Sequence, residues 1–221
     1  MIKGAIFDID GVLLDSMGIW DDLGARYLQS IGKIPEEGLN KILFSMSMEQ
    51  GADYLNEHYS LNKQTDEIVK GIGGMLETFY FDEVLSKSGS KELLEFLKEK
   101  NIKITAATSS PREHVEKALS RNGLIGFFDK IFTTSEVGIS KHSPDIYDLA
   151  ADFMGTKPEE TFVLEDSLYA LKTAKNAGYV SIGIFDSKGE SNQDELSKTA
   201  DLYLTDLKDF LKYYEQFLIN T

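Results

Sequence analysis

No cysteine occurs among the 221 residues, which excludes a disulfide framework, a thiolate nucleophile and a cysteine-held zinc. Basic residues are scarce: 23 Lys and Arg stand against 37 Asp and Glu, a formal charge of −14. Such a chain is a poor match for nucleic-acid phosphates, which are bound through Lys and Arg, and for an anionic membrane surface. No apolar run approaches the roughly 18 residues of a membrane helix. The first residues lack a basic stretch followed by a long apolar segment, so no signal peptide is expected. A P-loop is missing, Gly71-Ile72-Gly73-Gly74 does not fit a dinucleotide fingerprint, and no acidic stretch has EF-hand spacing. The expectation is a cytoplasmic protein that binds neither nucleic acid nor membrane, as a monomer or weak dimer.

What is present is an apolar content of 42%, ample for a packed core in one large domain or two smaller ones. Its most informative stretch is Asp8-Ile9-Asp10-Gly11-Val12-Leu13-Leu14-Asp15-Ser16. It follows Gly4-Ala5-Ile6-Phe7, an apolar run that reads as a buried strand. Residues i and i+2 of an extended chain point the same way. Asp8 and Asp10 can therefore face one point, which suits a divalent cation or an acid–base pair.

Strand-like runs fall at about 2–8, 102–107, 131–134, 161–165, 179–185 and 202–204. From residue 102 they alternate with helical segments, the pattern of a parallel α/β sheet. The long interval between the first two strands reads as helices at about 17–31, 37–45, 48–59 and 65–81. Ser47 with Gln50 has capping-box spacing, and Ser110-Pro111-Arg112-Glu113 reads as a capped helix start that ends at Asn122-Gly123. Ser143-Pro144-Asp145 opens another helix, and Ser167 a third. The fold class expected is thus α/β, a Rossmann-like parallel sheet core of residues 1–15 and 86–221, with residues 16–85 inserted as a helical cap. Ligands of open α/β sheets bind at the carboxyl ends of the strands, where such an insert is placed to act as a lid.

Three further elements fall at strand or helix ends. Ala106-Ala107-Thr108-Ser109-Ser110 closes the second strand and runs into a helix, where free backbone amides suit an anion. Lys141-His142-Ser143-Pro144-Asp145 precedes another helix, and Glu165-Asp166-Ser167 closes the strand Thr161-Phe162-Val163-Leu164. A parallel core brings all these ends to one edge. Converging carboxylates repel, and a bound dication together with Lys141 would offset that repulsion. Oxygen ligands without Cys or His favour Mg²⁺.

Taken in order, Asp8-x-Asp10-Gly11, Thr108, Lys141 with Pro144-Asp145, and Glu165-Asp166 resemble the motifs of the haloacid dehalogenase-like superfamily. The resemblance is to its branch with a helical cap, which includes β-phosphoglucomutase-like and phosphoglycolate-phosphatase-like members, and it spans essentially the whole chain. It implies that Asp8 is a nucleophile forming an aspartyl-phosphate and that Asp10 is the general acid and base. It implies Mg²⁺ held by Asp8, the Asp10 backbone carbonyl and Asp166, with Glu165 beside or behind the ion. Thr108 and the Ser109 amide would bind phosphoryl oxygens, and Lys141 would neutralise charge on the phosphate and on Asp8. Dehalogenases and phosphonatases of this superfamily lack the second carboxylate, so Asp10 favours phosphoryl transfer.

The chain departs from the family's sugar mutases in its cap. Residues 15–85 carry 13 acids and 5 bases, a net of −8. Ser47-Met48-Glu49 offers no Arg where a mutase has one, Trp20 replaces the mutase His, and the hinge Pro-Gly reads Ser88-Gly89. His142 stands where the third motif usually has Pro, and Ala170 where the fourth usually has Gly. The expectation is a phosphatase of a small phosphorylated metabolite. A sugar phosphomutase, or a non-catalytic phosphate-responsive interaction protein, is the alternative. Trp20, Ser47 and His142 are the candidates for substrate specificity, with Phe44, Met46 and Met48 also able to line the cap face. Core packing with Leu23, Tyr27 and Ile31 is the competing reading of Trp20.

Overall fold

The computed structural model describes residues 1–43 and 46–214. The chain starts with β1 (Gly4–Phe7), then runs through four helices, α1 (Ile19–Ser30), α2 (Leu39–Leu43), α3 (Met48–His58) and α4 (Thr65–Thr78). The rest alternates: α5 (Ser90–Glu99), β2 (Lys103–Thr108), α6 (Arg112–Arg121), β3 (Lys130–Thr133), α7 (Thr134–Val137), α8 (Asp145–Met154), β4 (Thr161–Glu165), α9 (Leu168–Asn176), β5 (Val180–Ile184), α10 (Gln193–Thr199) and β6 (Leu202–Leu204). Two compact units result, Met1–Met17 with Val84–Thr221, and Gly18–Glu83.

The first unit is a six-stranded sheet in the order β3-β2-β1-β4-β5-β6, with every pairing parallel. Its central strands read as unbroken apolar runs because both faces are covered; every residue of β1 and β4 is buried. Ile6 and Val163 meet Ile146, Tyr147 and Met154 of α8 and Ala174 of α9 in one core cluster. The ring of Phe210 meets Phe96 of α5 and Phe162 of β4 edge-on. The chain builds outward from β1 to β3, then crosses to β4 and builds the other way. That reversal sets a crevice between the carboxyl ends of β1 and β4, where α/β sheets take ligands.

The second unit is helical. Its core includes Leu23, Tyr27 and Leu28 of α1, Ala52 and Leu55 of α3, and Ile68 and Ile72 of α4. The capping box predicted at Ser47 is formed: Ser47 accepts from the Gln50 amide and Gln50 returns the bond. The helix expected over 65–81 keeps α bonding only to Thr78 and continues as a π-helical turn over Phe79–Glu83. That wider turn buries Phe79 and its neighbour Tyr80 together. No helix among the described residues is long and apolar enough to cross a membrane.

Candidate active site

Asp8 continues β1, its amide donating to the Leu164 carbonyl of β4 at 3.0 Å. Gly11 then turns the chain with φ +72°, a conformation that costs an L-residue about 1–2 kcal/mol. The Gly11 and Leu14 backbones bond across the turn at 3.0 Å, and Val12, Leu13 and Leu14 anchor the loop in the core. Asp8 and Asp10 are thereby displayed at the crevice on a rigid bend.

The other motif residues arrive at the same edge. Thr108, the last residue of β2, is fully buried, and its hydroxyl accepts from the Ser110 amide at 3.1 Å. Ser109 between them is exposed. Lys141, in the loop before α8, is 3% exposed and reaches Asp8 Oδ1 at 2.7 Å and Glu165 Oε1 at 2.8 Å. Asp8, Glu165 and Asp166 each offer an oxygen within 4.8 Å of the others. Asp166 follows β4, and its carboxylate lies against Gly11: a Cβ built there would overlap Asp166 Oδ2 and come within 2.8 Å of Cγ.

Sequence reasoning missed several supporting groups. Ser16 and Ser110 each donate to Asp10, on Oδ1 and Oδ2 respectively, both at 2.6 Å. The expected capping role of Ser110 is therefore corrected: α6 starts at Arg112 with Pro111 as N-cap and no side-chain cap bond, because the Ser110 hydroxyl is turned to Asp10. Tyr147, wholly buried on α8, donates to Glu165 Oε1 at 2.8 Å. Ser110 and Tyr147 act across long stretches of sequence, so neither carries a local signal for its partner.

The electrostatics record a shortage of positive charge. Burial pushes the Asp8 carboxyl up to about 7; Lys141 opposes that rise, while Glu165 and Asp10 add to it. Asp166 is pushed up to about 9, chiefly by burial and then by Asp8 and Glu165. Burial acts to lower the Lys141 ammonium, but Asp8 and Glu165 outweigh it and hold its pKa above the ordinary lysine value. Burial and the Glu165 carboxylate likewise raise the Tyr147 phenol. Among the described residues, buried Glu165 Oε2 has no hydrogen-bond partner. An orphaned carboxylate oxygen and three crowded acids, with no soft ligand among them, fit a hard divalent cation.

The specificity candidates fall in both units. His142 is exposed in the first, its ring 4.5 Å from that of Tyr169. In the second, Trp20 is 52% exposed rather than packed in the core with Leu23 and Tyr27. It lines a cavity of about 320 Å³ with Leu23, Met46, Ser47, Met48 and Leu55. Phe44 lies outside the described residues.

Residues 2–178 match the sequence model of the haloacid dehalogenase-like hydrolases. The chain belongs to that family. Among curated proteins, the hydrolase is 29% identical over 177 residues to a phosphorylated carbohydrates phosphatase of Thermotoga maritima, covering 80% of this chain and 82% of that one. It is 25% identical to the validoxylamine A 7'-phosphate phosphatase of Streptomyces hygroscopicus subsp. limoneus, over 94% of this chain and 95% of that one. Among solved structures, a Thermotoga maritima protein provisionally named a beta-phosphoglucomutase superposes with a TM-score of 0.85 at 26% identity, covering 97% of the hydrolase and 99% of that chain.

Proposed function

We propose that this hydrolase is a Mg²⁺-dependent phosphatase that cleaves a small phosphorylated metabolite through an aspartyl-phosphate on Asp8. The observation that carries the reading is the buried cluster in which Lys141 pairs with Asp8 at 2.7 Å beside Glu165 and Asp166. A carboxylate attacks a phosphate dianion poorly because both are negative, and catalysis of such transfers rests on positioning and charge stabilisation. Lys141 offsets the charge on Asp8. The ion, held by Asp8, Asp166 and the Asp10 carbonyl with Glu165 alongside, supplies the remaining positive charge when bound.

In the first step an Asp8 oxygen bonds to phosphorus as the ester P–O bond breaks. The Asp10 carboxyl gives its proton to the departing oxygen. In the second step the Asp10 carboxylate takes a proton from water, whose oxygen attacks the same phosphorus. The bond to Asp8 breaks, and inorganic phosphate leaves. Ser16 and Ser110 hold the two Asp10 oxygens, which fixes the carboxyl in place for both transfers. Thr108, the Ser109 amide and Lys141 bind the phosphoryl oxygens. The unit of residues 18–83 serves as the substrate-selecting lid, with Trp20 and Ser47 on it, while His142 contributes from the core.

One curated relative is named a phosphorylated carbohydrates phosphatase and another a validoxylamine A 7'-phosphate phosphatase, so carbohydrate monophosphates head the substrate panel. A phosphomutase is the second reading, favoured by the resemblance to the Thermotoga structure. It requires a basic cap to hold a second phosphate, and Arg26, the one arginine of residues 18–83, is engaged by Glu83 at 2.5 Å and Asp22 at 3.5 Å. Replacing Asp8→Asn is expected to abolish Mg²⁺-dependent hydrolysis of p-nitrophenyl phosphate while leaving the fold intact, as read by circular dichroism. Retained turnover would overturn the assignment of the nucleophile.

A further inference from the structure

Two glycines closely approach Asp166 Oδ2. One is Gly11, already described. The other is Gly189, in the loop after β5, where an added Cβ would stand 2.7 Å from the same oxygen. The two close approaches make the carboxylate position depend on two loop backbones that are 178 residues apart in the chain. One ion pair holds both loops. Lys87 Nζ donates to the Gly11 carbonyl at 2.7 Å, to the Phe185 carbonyl at 2.7 Å and to Asp186 Oδ2 at 3.0 Å. The other Asp186 oxygen, Oδ1, accepts from the Gly189 amide at 3.0 Å and from the Lys188 amide at 2.8 Å. The Lys87 side chain is 19% exposed and that of Asp186 5%.

We infer that Lys87 and Asp186 are positioning residues for the metal-binding carboxylate Asp166: their ion pair clamps the Gly11 and Gly189 loops at the spacing that fits Asp166. The inference rests on the proposed Mg²⁺ site. Neither residue touches the reacting atoms. Lys87 acts through the Gly11 carbonyl and Asp186 through the Gly189 amide. Groups that orient metal ligands in this indirect way contribute substantially to metal affinity.

The sign of the effect separates clamping from bulk electrostatics. Lys87 is a cation near a cation site, so its removal on charge grounds alone tightens Mg²⁺ binding. Loss of the clamp weakens it. Calorimetric titration of the metal-free protein with Mg²⁺ is the test, applied to the wild type, Lys87→Met and Asp186→Asn. The expected result is a dissociation constant raised roughly 10- to 100-fold in Lys87→Met, with KM for p-nitrophenyl phosphate unchanged at saturating Mg²⁺. Asp186→Asn loses the ion pair but also removes an anion, which weakens Mg²⁺ binding on charge grounds too, so a raised dissociation constant there is required by the clamp without separating it from electrostatics. Lys87→Gln, which removes the same positive charge, serves as the discriminating test should Lys87→Met not fold, as judged by its melt. Unchanged or tighter Mg²⁺ binding in a folded variant overturns the clamp. A wild type that binds no Mg²⁺ overturns the underlying metal site instead.

Discussion

Gly11→Ala brings two separable costs into one substitution, and Gly123→Ala carries one of them alone. Both glycines have positive φ, +72° and +69°. Both belong to the unit that contains the sheet. Among the described residues, nothing lies within 4 Å of a Cβ built on Gly123, whereas at Gly11 the Asp166 Cγ stands at 2.8 Å. The shared backbone cost is about 1–2 kcal/mol. For a chain of this size each kcal/mol lowers Tm by roughly 2–4 °C, so Gly123→Ala is expected to melt about 2–8 °C lower with full activity. Gly11→Ala adds a displacement. Relaxed carbon–carbon contacts lie at about 3.5–4.0 Å, so the Asp166 carboxyl must move by about 1 Å. A misplacement of that size in a catalytic site costs on the order of 100-fold in rate. The assay is kcat/KM for p-nitrophenyl phosphate across a Mg²⁺ titration, paired with thermal melts. If Gly11→Ala loses no more activity than Gly123→Ala, Asp166 is not the close-fitted metal ligand described above.

Two other outcomes are expected. The raised Asp8 and Asp166 carboxyls, near 7 and 9, keep protons in the folded metal-free protein that the unfolded chain has released above about pH 4. Their contribution to stability is thus present at acid pH and is lost as pH rises through those values. Metal binding displaces the same protons, so the Tm gained on adding Mg²⁺ to EDTA-treated protein grows between pH 5 and pH 9; a gain independent of pH would contradict the assignment. Tyr147→Phe leaves Glu165 with one donor fewer in a buried site, which costs about 1–3 kcal/mol, read as a lower melting midpoint in urea with KM retained.

Much of the architecture was legible because parallel strands buried on both faces are unbroken apolar runs. Thr161–Glu165 and Leu202–Leu204 occupy the spans expected, and β1 and β5 are shorter than expected by a residue or two at their ends. Asp8, Thr108, Lys141, Glu165 and Asp166 were legible because each ends a strand or precedes a helix, and a parallel sheet brings such ends together. Ser110 was misread because its local pattern, hydroxyl before Pro and Glu, is that of a helix cap, while its hydroxyl is claimed by Asp10, 100 residues away in the chain. Lys87 and Asp186 gave no signal for a similar reason. A lysine in a loop looks like solvated surface until the 99-residue separation from its partner is closed by folding.

The strand order also sets a timetable for synthesis. β1 is made before the other strands of the sheet, yet its neighbour β4 pairs Gly4 with Thr161, 157 residues later. At about 5–20 residues per second on the ribosome, one edge of the central strand waits some 8–30 s for its partner. Asp8 and Asp10 are translated before Lys141, Glu165 and Asp166, the residues that complete the proposed centre. The helical insert, complete by residue 83, is finished while that wait is still running. A chain halted before β4 leaves the N–H and C=O groups along one edge of β1 unpaired and lacks Glu165 and Asp166, so catalytic competence reports that translation has passed β4.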